Sequence, residues 1–341
     1  MSTTLYEYAT NQMRDIIRAL IELSKNTDEF SRPPQQIWTV REASAMLLGG
    51  KGYHLSKLPP VERRSDAWLA KSAAAFDLEK AATGLLYERL EPFVRAMVDQ
   101  AYGETDDFTR LTAAWTQTNA HLLPVMMHAA GTFSKQELKR LVGSVSDQGI
   151  SGPASERLTD LLETTAENSA IASRDQVRQR MRSTIEGIVR DLVGRLLLEE
   201  FVAEALRVAA VPFRREEEYA ALAGVVYDFR ADFVVPDETA PQAFLEVRKS
   251  STRHASLYAK DKMFSAINWK GRHQECIGVL VTSGPWTATS LEVMGRVFDY
   301  VVPIAKVGEV AQRIRDYLDG DRSALRFLIE FKIKNLGETE T

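Results

Sequence analysis

The chain has one cysteine, five histidines and no long apolar run, and each scarcity excludes a class of protein. A lone Cys276 cannot close an internal disulfide, so the fold must stand on its hydrophobic core, and a reducing cytoplasm is the expected setting. His54, His121, His128, His254 and His273 make no zinc spacing with one another or with Cys276. The longest apolar stretches, such as CIGVLVTSG (Cys276–Gly284) and LVGRLLL (Leu192–Leu198), fall far below the roughly 18 residues of a membrane span. The opening MSTTLYEYATNQMRD lacks the basic segment and apolar core of a secretory signal. Charge of one sign is scarce too. With 43 Lys and Arg against 47 Asp and Glu, the net −4 gives no global pull toward nucleic acid, so any such role must rest on a local basic patch.

What is present is the composition of a soluble globular protein: 341 residues, 45% hydrophobic and 26% charged, enough for one large domain or two ordinary ones. To about Ala210 helical periodicity dominates. Thr39 with Glu42, Ser134 with Glu137 and Ser173 with Gln176 each set a hydroxyl three residues before a Glu or Gln, the spacing of a helix-capping box. After Ser173, Val177, Met181, Ile185, Ile188, Leu192 and Leu196 form one apolar stripe, predicting a helix that continues toward Ala210. Breakers cluster at Ser31–Gln35, Lys57–Arg64 and Val145–Ser155, the last marking a boundary near residue 150. A helix beginning near Trp38, followed by GGKGYHLSK, hints at helix-turn-helix, but Pro59-Pro60 interrupts a second helix.

Past Pro212 short β-rich runs alternate with helices, which predicts an α/β sheet opening with a hairpin: VVYDFRADFVV, then AFLEVRKS. Each arm carries an acid. Alternation puts Asp228, Arg230, Asp232 and Val234 on one face of the first strand and Phe244, Glu246 and Arg248 on one face of the second, so Asp232 and Glu246 can converge. Two close carboxylates repel and lose hydration unless a cation or proton compensates, and oxygen ligands of this kind suit Mg²⁺.

ADFVVP followed by EVR resembles the PD-(D/E)XK nuclease superfamily, to which many type II restriction endonucleases belong. The resemblance covers roughly residues 196–304 and implies a restriction-endonuclease-like core sheet flanked by helices, an α/β (α+β) fold. It implies Asp232 and Glu246 as catalytic residues and metal ligands for Mg²⁺, with Ala231 where proline is common. The third position, usually lysine, holds Arg248, with Lys249 next. Arginine is effectively never deprotonated and is a poor general base. Three explanations stay open: Arg248 substitutes, a lysine such as Lys260 or Lys262 moves in from the next helix, or activity is lost. The literal Pro236-Asp237 reads as the connecting turn. For the helix acid that often precedes the family's sheet, Glu200 is the nearest match, with Glu199 and Glu204 as rivals.

Between Arg248 and His273 seven basic residues face one acid, Asp261, a local +6 beside the carboxylates. This predicts phosphate contacts from Lys249, Arg253, His254, Lys260, Lys262, Lys270 and Arg272. Asn268 and Trp269 can approach bases or pack, with packing favoured for Trp269. The organisation expected is a helical region over 1–150, serving DNA recognition or dimerisation, and a nuclease domain over 151–341. The function expected is sequence-specific cleavage of double-stranded DNA by a cytoplasmic homodimer, as in restriction-modification. A catalytically silent DNA-binding protein on the same fold, or a helical interaction scaffold, are the alternatives.

Overall fold

The computed structural model describes residues 3–249, 255–284, 286–326 and 328–330. The chain divides into two units: one holds the residues up to Ile16 together with Gln35–Leu197, the other Ile17–Pro34 together with the residues from Leu198 onward. The division between the units runs at Leu197–Leu198, and the boundary expected near residue 150 falls inside the first unit. The breaker-rich segment there forms a small hairpin and the start of a helix, both packed with earlier helices of the first unit.

The first unit is helical, with α1 (Leu5–Asn26, its second half belonging to the other unit), α2 (Arg41–Gly50), α3 (Arg64–Ala70), α4 (Leu78–Glu104), α5 (Ala113–Thr118), α6 (Leu123–Ala129) and α7 (Lys135–Val142). The hairpin of β1 (Val145–Ser146) and β2 (Gly149–Ile150) leads to α8 (Gly152–Glu167) and α9 (Arg174–Leu192). The capping box at Ser173 forms as expected: Gln176 N–H donates to its hydroxyl, and its own N–H donates to the Gln176 side chain at 2.8 Å. Ser134 caps α7. Thr39 does not cap α2, which starts after Val40; the Thr39 hydroxyl turns back to the Gln36 carbonyl instead. Ser44–Gly50 of α2 are buried, so most of this helix packs into the first unit and only its first turn is open to solvent. Among the described residues no helix is long and apolar enough to cross a membrane.

A π-helical turn over Val193–Leu197 carries the chain into α10 (Leu198–Val208) and the second unit, a mixed α/β structure. Its sheet orders β3 (Arg214–Arg215), β4 (Phe233–Val235), β5 (Ala243–Lys249), β6 (Ile277–Ser283) and β7 (Tyr300–Pro303) side by side. The first three are antiparallel and the last three parallel, joined through α11 (Ala255–Arg272) and α12 (Ala288–Met294), with α13 (Val307–Leu318) following. The continuous apolar run of β6 suits a strand covered on both faces. The long first strand expected over Val225–Val235 shrinks to three residues, because Leu222 and Phe229 bridge to each other in a separate loop.

Side chains of even number in β5 point toward α11. Phe244 meets the Trp269 ring edge-on at 5.0 Å within a core that includes Val234, Ala266, Leu280 and Phe298. Gly278 permits that packing, since a Cβ there would stand 2.8 Å from the Phe244 ring. The next even residue along β5 is Glu246, which places a carboxylate in the position of a core side chain.

Candidate active site

Asp232 immediately precedes β4, and extending the pairing of Phe233 with Leu245 sets it opposite Glu246. Tyr219 fixes the backbone just before it, accepting from the Ala231 N–H at 2.6 Å and donating to the Ala231 carbonyl at 2.8 Å. The Asp232 carboxylate, 7% exposed, reaches onto β5, where Oδ2 accepts from the Val247 N–H at 2.6 Å. The convergence expected from strand alternation is therefore present, although Asp232 stands at the end of β4 and not within it.

Glu246 is wholly buried, and two cations approach it. Arg248 Nη2 lies 2.7 Å and Lys262 Nζ 3.1 Å from its Oε2. Both contacts fall on Oε2, and Oε1 is buried without a hydrogen-bond partner among the described residues. Burial, reinforced by the Asp232 charge, pushes the Glu246 carboxyl up to about 8, and Arg248 and Lys262 offset that rise only in part. The other guanidinium nitrogen, Arg248 Nη1, donates to Asp232 Oδ2 at 2.8 Å and Oδ1 at 3.2 Å and to the Val247 carbonyl at 2.7 Å. Burial works against the guanidinium charge, but Glu246 and Asp232 outweigh it and raise its pKa.

A third acid is coupled to this group. Burial and then the Asp232 charge raise the pKa of Glu199 on α10, with Arg215 and Arg248 working against the rise. Glu200, the helix acid favoured by sequence, is engaged elsewhere: its two oxygens pair with Arg207 at 2.8 Å and with Arg215. Burial would raise its pKa, but these two arginines together bring it below the ordinary value.

The basic segment divides into parts that its sequence does not separate. Lys262 is 7% exposed and turned inward to Glu246, which makes it a member of the acid cluster. Lys270 is wholly buried and ion-paired with Asp299, whose carboxylate also accepts from the Gly278 N–H at 2.7 Å and the Arg326 N–H at 2.9 Å. Its expected phosphate contact is corrected to a structural role, because its ammonium is enclosed in the protein interior. Lys249, Lys260 and Arg272 are exposed; Arg253 and His254 lie outside the described residues. Asn268 is a clamp and not a base reader. Its side-chain oxygen accepts from Val226 N–H at 2.8 Å and its amide donates to the Tyr227 carbonyl at 2.8 Å. Trp269 packs in the core. Asp237 caps its own turn, accepting from the Thr239 hydroxyl at 2.5 Å and the Thr239 N–H at 2.9 Å, and that bonding lowers its pKa.

Asp232, Glu246 and the Val247 carbonyl present hard oxygens to one point. Among the described residues no three His, Cys, Asp or Glu side chains form a complete metal cage. The donor set, with Glu246 Oε1 buried and without a hydrogen-bond partner among the described residues, fits an ion that takes one or two carboxylates and fills its remaining positions with water and phosphate oxygen, as Mg²⁺ does. A cleft of about 810 Å³ in the first unit is lined by Arg95, Arg178 and Arg182 alternating with Glu91, Asp175 and Glu186, a mixed surface without a converged acid pair. No protein-family model, no curated protein and no solved structure matches this chain.

The contributions of Tyr219 and the Val247 carbonyl have no signature in the sequence. Glu199 was legible as a rival to Glu200, but choosing between neighbours on a helix requires knowing which one faces Asp232.

Proposed function

We propose that the chain is a Mg²⁺-dependent endonuclease acting on double-stranded DNA, with its second unit serving as a restriction-endonuclease-like core. The observation that carries this reading is the meeting of Asp232, Glu246 and Lys262: two acids brought together by an antiparallel pair and a lysine supplied by the following helix. This favours the second of the three explanations for Arg248. The lysine is present but comes from α11, whereas the strand motif holds arginine.

Water attacks the phosphorus and the P–O ester bond breaks, leaving a phosphate and a hydroxyl end. Asp232 and Glu246 would hold Mg²⁺, which supplies a Lewis acid for the phosphodiester oxygens. Lys262 is a compact donor that orients the attacking water and offsets negative charge developing on the phosphate. Lys249, Lys260 and Arg272 draw the backbone toward the acids. A two-fold dimer would set two such sites on the two strands of a palindrome, the arrangement expected for a restriction-type enzyme.

The test is incubation of purified protein with unmethylated DNA in Mg²⁺, in Mn²⁺ and in chelator, with sequencing of fragment ends. Discrete metal-dependent fragments, lost in Asp232→Ala and Glu246→Ala, support the reading; full cleavage by either variant removes it. The bridging of both acids by Arg248 favours a second reading, a catalytically silent DNA-binding protein on the same fold. Salt-sensitive binding without cleavage in either metal would select it.

A further inference from the structure

We propose that Arg248 is a built-in competitor for the divalent ion: its guanidinium holds the position between Asp232, the Val247 carbonyl and Glu246, and metal binds there only when it turns away. The proposal rests on the nuclease reading of the two acids and adds how access to them is controlled.

The geometry makes the two occupants mutually exclusive. Nη1 is within 2.8 Å of Asp232 Oδ2 and 2.7 Å of the Val247 carbonyl, while Nη2 is 2.7 Å from Glu246 Oε2. A planar fork spans the same oxygens that an ion would gather at a metal–oxygen distance of about 2.1 Å. The charge balance points the same way. Two acids with no cation would bind a divalent ion to relieve their repulsion, but Arg248 and Lys262 already supply two positive charges against Asp232 and Glu246. Part of that relief is in place before metal arrives.

Arg248 also has somewhere to go. Its side chain is 27% exposed, against 7% for Asp232 and none for Glu246, which makes it the most solvent-accessible of the three. It stands one residue from the exposed Lys249 at the end of β5. A phosphodiester offers the guanidinium two oxygens in the fork geometry it now uses on the carboxylates. Phosphate would draw it outward and release the acids, so nucleic acid and metal would each tighten the other's binding, since coupling of this kind is reciprocal. The chain would hold little metal until a nucleic acid backbone is present. A lysine at position 248 could not do this, because a point charge cannot span both acids.

The experiment measures Mn²⁺ binding to the purified full-length chain by electron paramagnetic resonance, without DNA, for wild type, Arg248→Met and Arg248→Lys, each with and without Glu246→Gln. Arg248→Met is expected to bind Mn²⁺ about tenfold or more tightly than wild type. Arg248→Lys should shift in the same direction by a smaller factor, and both gains should vanish with Glu246→Gln. If Arg248→Met does not fold, Arg248→Lys decides. Wild type binding through Glu246 as tightly as the variants would overturn the proposal while leaving the nuclease reading intact. Absence of Glu246-dependent binding in every variant would overturn both.

Discussion

Lys262 Nζ lies 3.1 Å from Glu246 Oε2, so a helix lysine reaches the buried end of a strand acid while the strand's own third position is filled by arginine. The spacing along α11 explains how. Lys262, Ala266 and Trp269 recur on the face that is buried, whereas Lys260 and Phe264 point away from it. The two lysines therefore separate experimentally. Lys262→Ala should lower the cleavage rate about 100-fold or more, with DNA affinity little altered. Lys260→Ala should weaken DNA binding and reduce its salt slope by about one contact. Single-turnover cleavage and salt-dependent binding of the two variants check this, and equal rate losses would remove Lys262 from the site.

Glu246 ties activity and stability to pH with opposite signs. Its carboxyl is raised by burial to about 8 in the folded chain, above the ordinary 4.5, so the folded state binds the extra proton across that window. More protons in the folded state means stability falls as pH rises. The contribution is fully present below about pH 4.5 and is lost by about pH 8. Metal binding needs the ionised acid, so cleavage should instead rise with pH toward 8 and level off sooner as Mg²⁺ is increased. Urea denaturation in chelator between pH 5 and 9, for wild type and Glu246→Gln, measures the first effect; the glutamine variant should lose the slope.

Lys270 was expected at DNA but is sealed inside with Asp299, where the acid also collects two backbone N–H groups. Removing one partner leaves a buried charge unpaired, a loss of about 3–5 kcal/mol. Lys270→Met should therefore cost stability of that order in urea denaturation. DNA affinity, measured under conditions where the variant is folded, should stay near wild type. A steep loss of affinity with unchanged stability would return Lys270 to the interface.

The contrast between Lys262 and Lys270 shows where the sequence is legible. Helix and strand order in the second unit followed from apolar periodicity and turn residues, and the meeting of Asp232 with Glu246 followed from strand alternation across a hairpin. Those are local patterns with fixed geometry. The +6 charge of the segment after β5 was equally visible, but charge carries no direction along a helix until its packed face is known. Arg248, Lys262 and Lys270 turn inward toward acids, one of which, Asp299, lies 29 positions from its partner. Val225–Phe229 was read as strand because its apolar residues alternate; Asn268 holds that segment from α11, a tertiary contact without local trace.

Glu199 and Glu200 are adjacent on α10, yet their surroundings assign them different work. Glu199 is raised by burial and by Asp232, so it belongs electrostatically to the acid cluster. Glu200 is consumed by Arg207 and Arg215. Glu199→Gln removes a negative charge near Asp232, which should raise the Mg²⁺ concentration needed for half-maximal cleavage several-fold without lowering stability, since a buried and destabilised acid is lost. Glu200→Gln should leave the metal requirement unchanged and cost about 1–3 kcal/mol, because two guanidinium groups lose their charged acceptor. Titrating Mg²⁺ against cleavage rate and measuring urea stability for both variants distinguishes them. A metal requirement shifted by Glu200→Gln and untouched by Glu199→Gln would make Glu200, the residue favoured by its place after the apolar stripe, the helix acid of the site.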